Sequence, residues 1–207
     1  MQIEFRGVLD DCSRILTDRL QTALELSMSA HAGQTDKGGK PYYAHPLAVC
    51  RIVNHISPSD ERLKDLHYLK HAPLIVYTAD DLELSIAALL HDVLEDTSLT
   101  VQNLRNAGIP ESCVQIIQVL TRRQEESYSD YIERVACNPR ASIVKLADLA
   151  HNCDLTRLDT VTEADRVRRS KYVSAASRLQ PEFFTGFSML FPETGMPAPE
   201  SVGDMQY

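Results

Sequence analysis

The stretch "AALLHDVLEDT", residues 87–97, decides how the chain is read, because it sets four polar side chains into an otherwise apolar core segment. A helix drawn over 82–95 at about 100° per residue, with His91 at 0°, puts Asp92, Glu95 and Asp96 at roughly 100°, 40° and 140°. Leu89, Leu90, Val93 and Leu94 fall between roughly 160° and 300°, a separate apolar face for the core. The polar face admits two readings: a solvated acidic face that happens to contain a histidine, or the wall of a cleft. The run is apolar right up to His91 and Asp92, which favours the cleft, and an imidazole beside a carboxylate is a ligand pair suited to a divalent metal.

A metal site needs further ligands, and two helical contexts offer them. "KPYYAHPLAV" places His45 at a helix start, where Pro46 is accommodated in the first turn. "SIVKLADLAHNCDL" carries Asp148, with Lys145 three residues before and Asn152 four after on the same face, while Ile143, Leu146, Ala147 and Ala150 form an apolar face. Each has a plainer alternative. His45 could cap or pack, and Asp148 with Lys145 could be a simple i, i+3 ion pair.

Working outward, apolar residues recur at three- and four-residue spacing and strand-type alternation is nearly absent, so the expected fold class is all-α. Helices are expected over 13–32, 44–56, 82–95, 100–107, 110–122, 128–137, 141–153, 162–178 and 181–190. Thr100 or Ser98 can cap the short helix that Gly108 ends before Pro110, and Asn138-Pro139 separates the two helices that follow. Residues 1–190 are expected to form one domain with an insertion near 57–81, which ends in the β-prone "PLIVYT". Residues 191–207, rich in Pro and Gly, are expected to be a disordered tail.

With 43% apolar and 24% charged residues, the 207-residue chain has the composition of a globular domain able to bury its own core. A net charge of −8 disfavours binding of nucleic acid or anionic membrane by a whole face, but leaves room for a local basic pocket. Five cysteines without C-x-x-C spacing suggest neither a disulfide framework nor a thiolate zinc site. The absence of a signal pattern or a long apolar run makes a cytoplasmic location the expectation.

Taken in order, His45, His91-Asp92 and Asp148 resemble the H…HD…D signature of the HD-domain metal-dependent phosphohydrolases. Their flanks, "AHAGQTDKGGKPYYAHPLAV", "AALLHDVLEDT" and "VKLADLAHN", resemble the hydrolase domain of the RelA/SpoT alarmone enzymes and their small stand-alone relatives, over roughly residues 15–178. The resemblance implies the HD-domain helical fold and one divalent ion, commonly Mn²⁺, held by His45, His91, Asp92 and Asp148. It implies proton transfer and water positioning by Glu95 and Asp96, a nucleotide contact from Asn152, and a basic residue near the substrate in Lys37. Arg122, after "VLT", could meet a phosphate or be an exposed residue at a helix end. The implied protein is a small stand-alone hydrolase acting on a phosphorylated nucleotide, with removal of the 3′-pyrophosphate from (p)ppGpp as the specific case.

Two departures stand out. Asp36 occupies the place of an arginine that helps hold guanine in the alarmone hydrolases, and His45 and His91 are 46 positions apart, a longer interval than the pattern leads one to expect. A phosphohydrolase acting on another phosphorylated nucleotide or metabolite is therefore the alternative. A non-catalytic nucleotide sensor would be expected to have eroded its ligands or acidic pair, and all six positions are intact. The sequence is silent on the native metal and the oligomeric state.

Overall fold

The computed structural model describes residues 3–5, 11–54, 74–76 and 79–179. It is built of helices: α1 Asp11–Ala30, α2 Ala44–Val53, α3 Ala79–Leu89, α4 Val93–Asp96, α5 Val101–Asn106, α6 Glu111–Leu120, α7 Tyr128–Ala136, α8 Pro139–Cys153 and α9 Glu163–Leu179, with a 3₁₀ turn at Leu155–Arg157. The β-prone run contributes one strand, β2 Leu74–Val76, which pairs in parallel with β1 Ile3–Phe5 in the register Ile3 to Leu74. The expected all-α architecture thus carries a two-stranded parallel pair in addition. Most of the expected insertion, the helix over 181–190 and the tail over 191–207 lie outside the described residues. Among the described residues, no helix is long and apolar enough to cross a membrane.

Two helices organise the core. α3 packs on α1, α2 and α6, and α8 packs on α2, α6, α7 and α9. Both are buried nearly all round: Leu82, Ile86, Ala87, Ala88 and Leu89 in α3, and Val144, Leu146, Ala147, Leu149 and Ala150 in α8 are almost wholly out of water. A helix buried on every side loses the option of a solvated polar face. Polar residues at its ends therefore look into the protein interior or into a cleft.

Local chemistry sets the boundaries. Asn138 accepts a hydrogen bond from the Ala141 N–H, and Pro139 occupies the first turn, so α8 starts at 139 rather than 141. Thr100 and Asn103 form a reciprocal capping box for α5, which ends at Gly108 with φ +75°. The largest revision falls on the stretch quoted at the outset. The helix expected over 82–95 is interrupted at 90–92, where the Leu90 N–H bonds to the Ala87 carbonyl and the Val93 N–H to the Leu90 carbonyl, both three residues back. The cause is a side chain. The His91 ring donates from Nδ1 to the Ala88 carbonyl at 2.8 Å, taking the acceptor that a continuing helix would offer to the Asp92 N–H.

Asn138→Ala should lower the stability of the folded protein by about 1 kcal/mol through loss of the α8 cap, without changing the fold. Urea denaturation at constant m-value checks this.

Candidate metal centre

The break at 90–92 and the starts and ends of three helices bring the candidate ligands to one point. His45 comes from the first turn of α2, His91 and Asp92 from the turn between α3 and α4, and Asp148 from the buried face of α8. One donor atom from each of His45, His91 and Asp92 lies within 4.8 Å of the others. His45 Nε2 is 3.4 Å from Asp92 Oδ2 and 3.1 Å from Asp148 Oδ1; His91 Nε2 is 3.0 Å and 3.7 Å from the same two oxygens. All four expected ligands are therefore brought together, with His45, His91 and Asp148 buried and Asp92 partly open.

These residues fit a cation. Because His91 Nδ1 donates to the Ala88 carbonyl, the neutral ring presents a lone pair at Nε2. That atom is buried without a hydrogen-bond partner, its approach to Asp92 lacking hydrogen-bond alignment. Two imidazole nitrogens and two carboxylate oxygens aimed at one corner repel one another unless positive charge sits among them. The titrations express the same demand. Burial works to lower His45 and His91, but the Asp148 and Asp92 carboxylates outweigh it, raising His45 and pushing His91 up to about 10. Against burial, the His91 charge and the His45 imidazole hold Asp92 well below the carboxylate range, and the Lys145 charge leads in doing so for Asp148.

Neighbouring side chains fix the ligands. Asp148 accepts from Lys145 Nζ on Oδ2 at 2.8 Å and from Asn152 Nδ2 on Oδ1 at 2.6 Å. Lys145 is itself largely shielded from water, 5.2 Å from the centroid of the Tyr131 ring. The i, i+3 ion pair is thus present at Asp148, while its Oδ1 faces the two imidazoles. The Tyr42 hydroxyl lies 2.9 Å from Asp92 Oδ2 and 2.9 Å from Asp96 Oδ2, so one phenol bridges a candidate ligand and the acidic pair. Burial and those two charges raise its pKa and keep it protonated.

Glu95 and Asp96 lie on α4, on the solvent side of the ligands. Burial of the Glu95 carboxyl, with the Asp92 and Asp96 charges, raises its pKa against the Arg122 N–H and Lys145. Arg122 enters differently from the sequence expectation. Its backbone N–H donates to Glu95 Oε1 at 2.6 Å, while its guanidinium is bound to the Glu126 carbonyl. Lys37 lines a concavity of about 360 Å³ with Leu158, Asp159, Thr160 and Asp165. Asn152, expected to touch nucleotide, donates to Asp148 in this structure. Sequence reasoning missed Tyr42, His151 and Arg157. Tyr42 and His151 each sit three residues from a candidate ligand, a spacing that could have flagged them, whereas nothing in the sequence marks Arg157.

No protein-family model matches the chain. It is 29% identical over 145 residues to the bifunctional (p)ppGpp synthase/hydrolase SpoT of Escherichia coli, covering 65% of this chain and 17% of that protein. The guanosine-3′,5′-bis(diphosphate) 3′-pyrophosphohydrolase of Vibrio cholerae is 30% identical over 146 residues, covering 69% and 17%; that of Haemophilus influenzae is 31% identical over 137 residues, covering 61% and 17%. The chain thus spans only 17% of the length of these relatives. In fold it matches a metazoan orthologue of SpoT described as hydrolysing ppGpp, with a TM-score of 0.61 and 20% identity over 92% of this chain and 99% of that one. With its helical architecture and its His/Asp cluster in place, the chain is a homologue of the ppGpp-hydrolase region of the SpoT/RelA enzymes.

Proposed function

We propose that the chain is a cytoplasmic, manganese-dependent phosphohydrolase that removes the 3′-pyrophosphate from (p)ppGpp. The observation that carries this reading is the buried, partnerless His91 Nε2 facing two carboxylates and a second imidazole, beside an acidic pair, in a homologue of ppGpp hydrolases. Imidazole and carboxylate oxygen suit manganese or a similar divalent ion better than they suit a thiophilic metal. His45, His91, Asp92 and Asp148 would hold such an ion, which when bound would supply an acidified water and a Lewis acid for phosphoryl oxygen.

The remaining steps belong to the chain. Glu95, held by the Arg122 N–H and raised in pKa, accepts the proton from attacking water or supplies one to the leaving 3′ oxygen. Asp96, oriented by Tyr42 and anchored through its backbone carbonyl to Gln34, positions that water. Lys37 offsets phosphate charge in a chain that is acidic overall. Asp36 favours a second reading, a related hydrolase acting on another phosphorylated nucleotide, because its carboxylate supplies no cation for a guanine base. Incubating Mn²⁺-loaded protein with (p)ppGpp, other phosphorylated nucleotides and simple phosphoesters distinguishes the two. Release of pyrophosphate from (p)ppGpp is the expected result, and turnover of a different nucleotide alone would replace it with the second reading.

Glu95→Gln keeps the acceptor for the Arg122 N–H and removes the proton carrier. It should retain metal and lose turnover by a factor on the order of 10²–10⁴, whereas His91→Ala should lose both. Metal analysis alongside steady-state kinetics separates these cases, and loss of metal from Glu95→Gln would make that residue a ligand.

Metal removal should also couple to pH. In the metal-free protein the folded-state pKa of His91, about 10, lies above its ordinary 6.5. Its protonation therefore contributes stability that is complete below 6.5 and is lost as pH rises toward 10. A ligated imidazole has no such proton to lose, so the gap in Tm between Mn²⁺-loaded and chelator-stripped protein should widen from about pH 6 to about pH 9. Thermal denaturation of both forms measures it.

A further inference from the structure

Behind His45, on the side away from the carboxylates, a line of polar groups runs from the buried His151 through the partly buried Arg157 to Asp36. His45 Nδ1 is 2.7 Å from His151 Nδ1, and the same His151 nitrogen is 2.8 Å from Arg157 Nη1. Arg157 also donates from Nη1 to the His151 carbonyl at 2.9 Å and from Nη2 to Asp36 Oδ2 at 2.8 Å. The Arg157 and Asp36 side chains are 14% and 8% exposed, so this ion pair is sheltered from solvent screening. The turn that carries Asp36 is built for the junction. Asp36 Oδ1 accepts from the Lys40 N–H, Gly39 takes φ +71°, and a Cβ at Gly38 would stand 2.5 Å from the Arg157 carbonyl oxygen.

Hydrogen-bond polarity then runs in one direction. A guanidinium only donates, so the His151 Nδ1 that it meets is an acceptor bearing a lone pair. Arg157 and His45 share that one lone pair as donors, which assigns a proton to His45 Nδ1. In the neutral ring that a metal ion requires, the other His45 nitrogen, Nε2, is then the bare one, and it is the atom that faces Asp92 and Asp148. From this we infer that Arg157, anchored by Asp36 and acting through His151, is a positioning residue that sets the tautomer and orientation of His45 for metal binding. The inference rests on the metal reading above. It also accounts for Asp36, whose carboxylate is committed to Arg157 and the Lys40 N–H, so that position 36 serves the metal centre.

The test measures Mn²⁺ affinity by electron paramagnetic resonance of the free ion, and the His45 tautomer by two-bond ¹H–¹⁵N spectra of the Mg²⁺-loaded protein. Arg157→Met should weaken Mn²⁺ binding by about 10–100-fold, the usual cost of losing a partner behind a metal-ligating histidine. Arg157→Lys, which can still donate, should recover most of it. Asp36→Asn, which still accepts from Arg157, should lose less than Asp36→Ala. Asp36→Arg, which installs the residue found in alarmone hydrolases, should behave like Arg157→Met because it sets two cations together. The wild-type spectrum should show His45 protonated at Nδ1, and this holds the inference to account even if Arg157→Met fails to fold. Wild-type affinity in Arg157→Met, or His45 protonated at Nε2 in the loaded protein, would overturn the assignment. Tighter nucleotide binding with unchanged Mn²⁺ affinity in Asp36→Arg would overturn it too, making residue 36 a base contact. Failure of the wild type to bind Mn²⁺ or Mg²⁺ at all would instead overturn the metal reading, and this inference with it.

Discussion

Two imidazole nitrogens and two carboxylate oxygens, drawn from three separate stretches of chain, meet at one largely buried corner. Such a meeting is unfavourable without a cation, since each group would otherwise keep its lone pairs in water. The surrounding structure holds the groups there nonetheless. The turn after the deeply buried α3 delivers His91 with Asp92, α8 delivers Asp148, and α2 delivers His45 between them. The His91 ring interrupts its own helix to fix its direction, and Lys145 is carried into the interior to balance Asp148. Core packing supplies the rigidity that keeps these groups from turning outward toward water.

Chemistry and binding are divided by depth. The candidate ligands lie inside, each with a hydrogen bond behind it that limits its rotation: the Ala88 carbonyl for His91, His151 for His45, Tyr42 for Asp92, and Lys145 with Asn152 for Asp148. The acidic pair sits one turn further toward solvent. Tyr42 links the two layers, because one hydroxyl serves both a ligand and an acidic side chain. A shift of either carboxylate is therefore felt by the other.

Much of this was legible in the sequence, and the exceptions share a cause. Apolar periodicity located the helices, and Asn138, Thr100 and Gly108 marked ends that the structure keeps, because caps depend on neighbours only a few residues away. His45, His91, Asp92 and Asp148 could be picked out because each interrupts an apolar run. The break at 90–92 could not be read, since a helical wheel assumes that the Ala88 carbonyl goes to the backbone, whereas here the His91 ring takes it. Arg122 was judged by its side chain, but its contribution to Glu95 comes from a backbone N–H. The pairing of β1 with β2, and of Asp36 with Arg157 across 121 positions, depends on long-range geometry that no local pattern records.

Asp36 shows why a motif position and its role can separate. Judged by alignment with the alarmone hydrolases, the residue subtracts a cation from base recognition. Seen in the fold, it belongs to a sheltered pair whose cation points inward, toward the back of a candidate metal ligand. The arginine and the aspartate hold each other in place, so changing either alone leaves a sheltered charge without its partner, a costlier state than the pair. The turn around them, with Gly38 against the Arg157 backbone, is shaped to the same contact. On the proposed reading, the arrangement that presents His45 Nε2 to the centre depends on position 36. The groups behind His45 are tied to one another by hydrogen bonds, whereas Lys37, Asp159 and Thr160 lie exposed at the surface and carry no such constraint from that line.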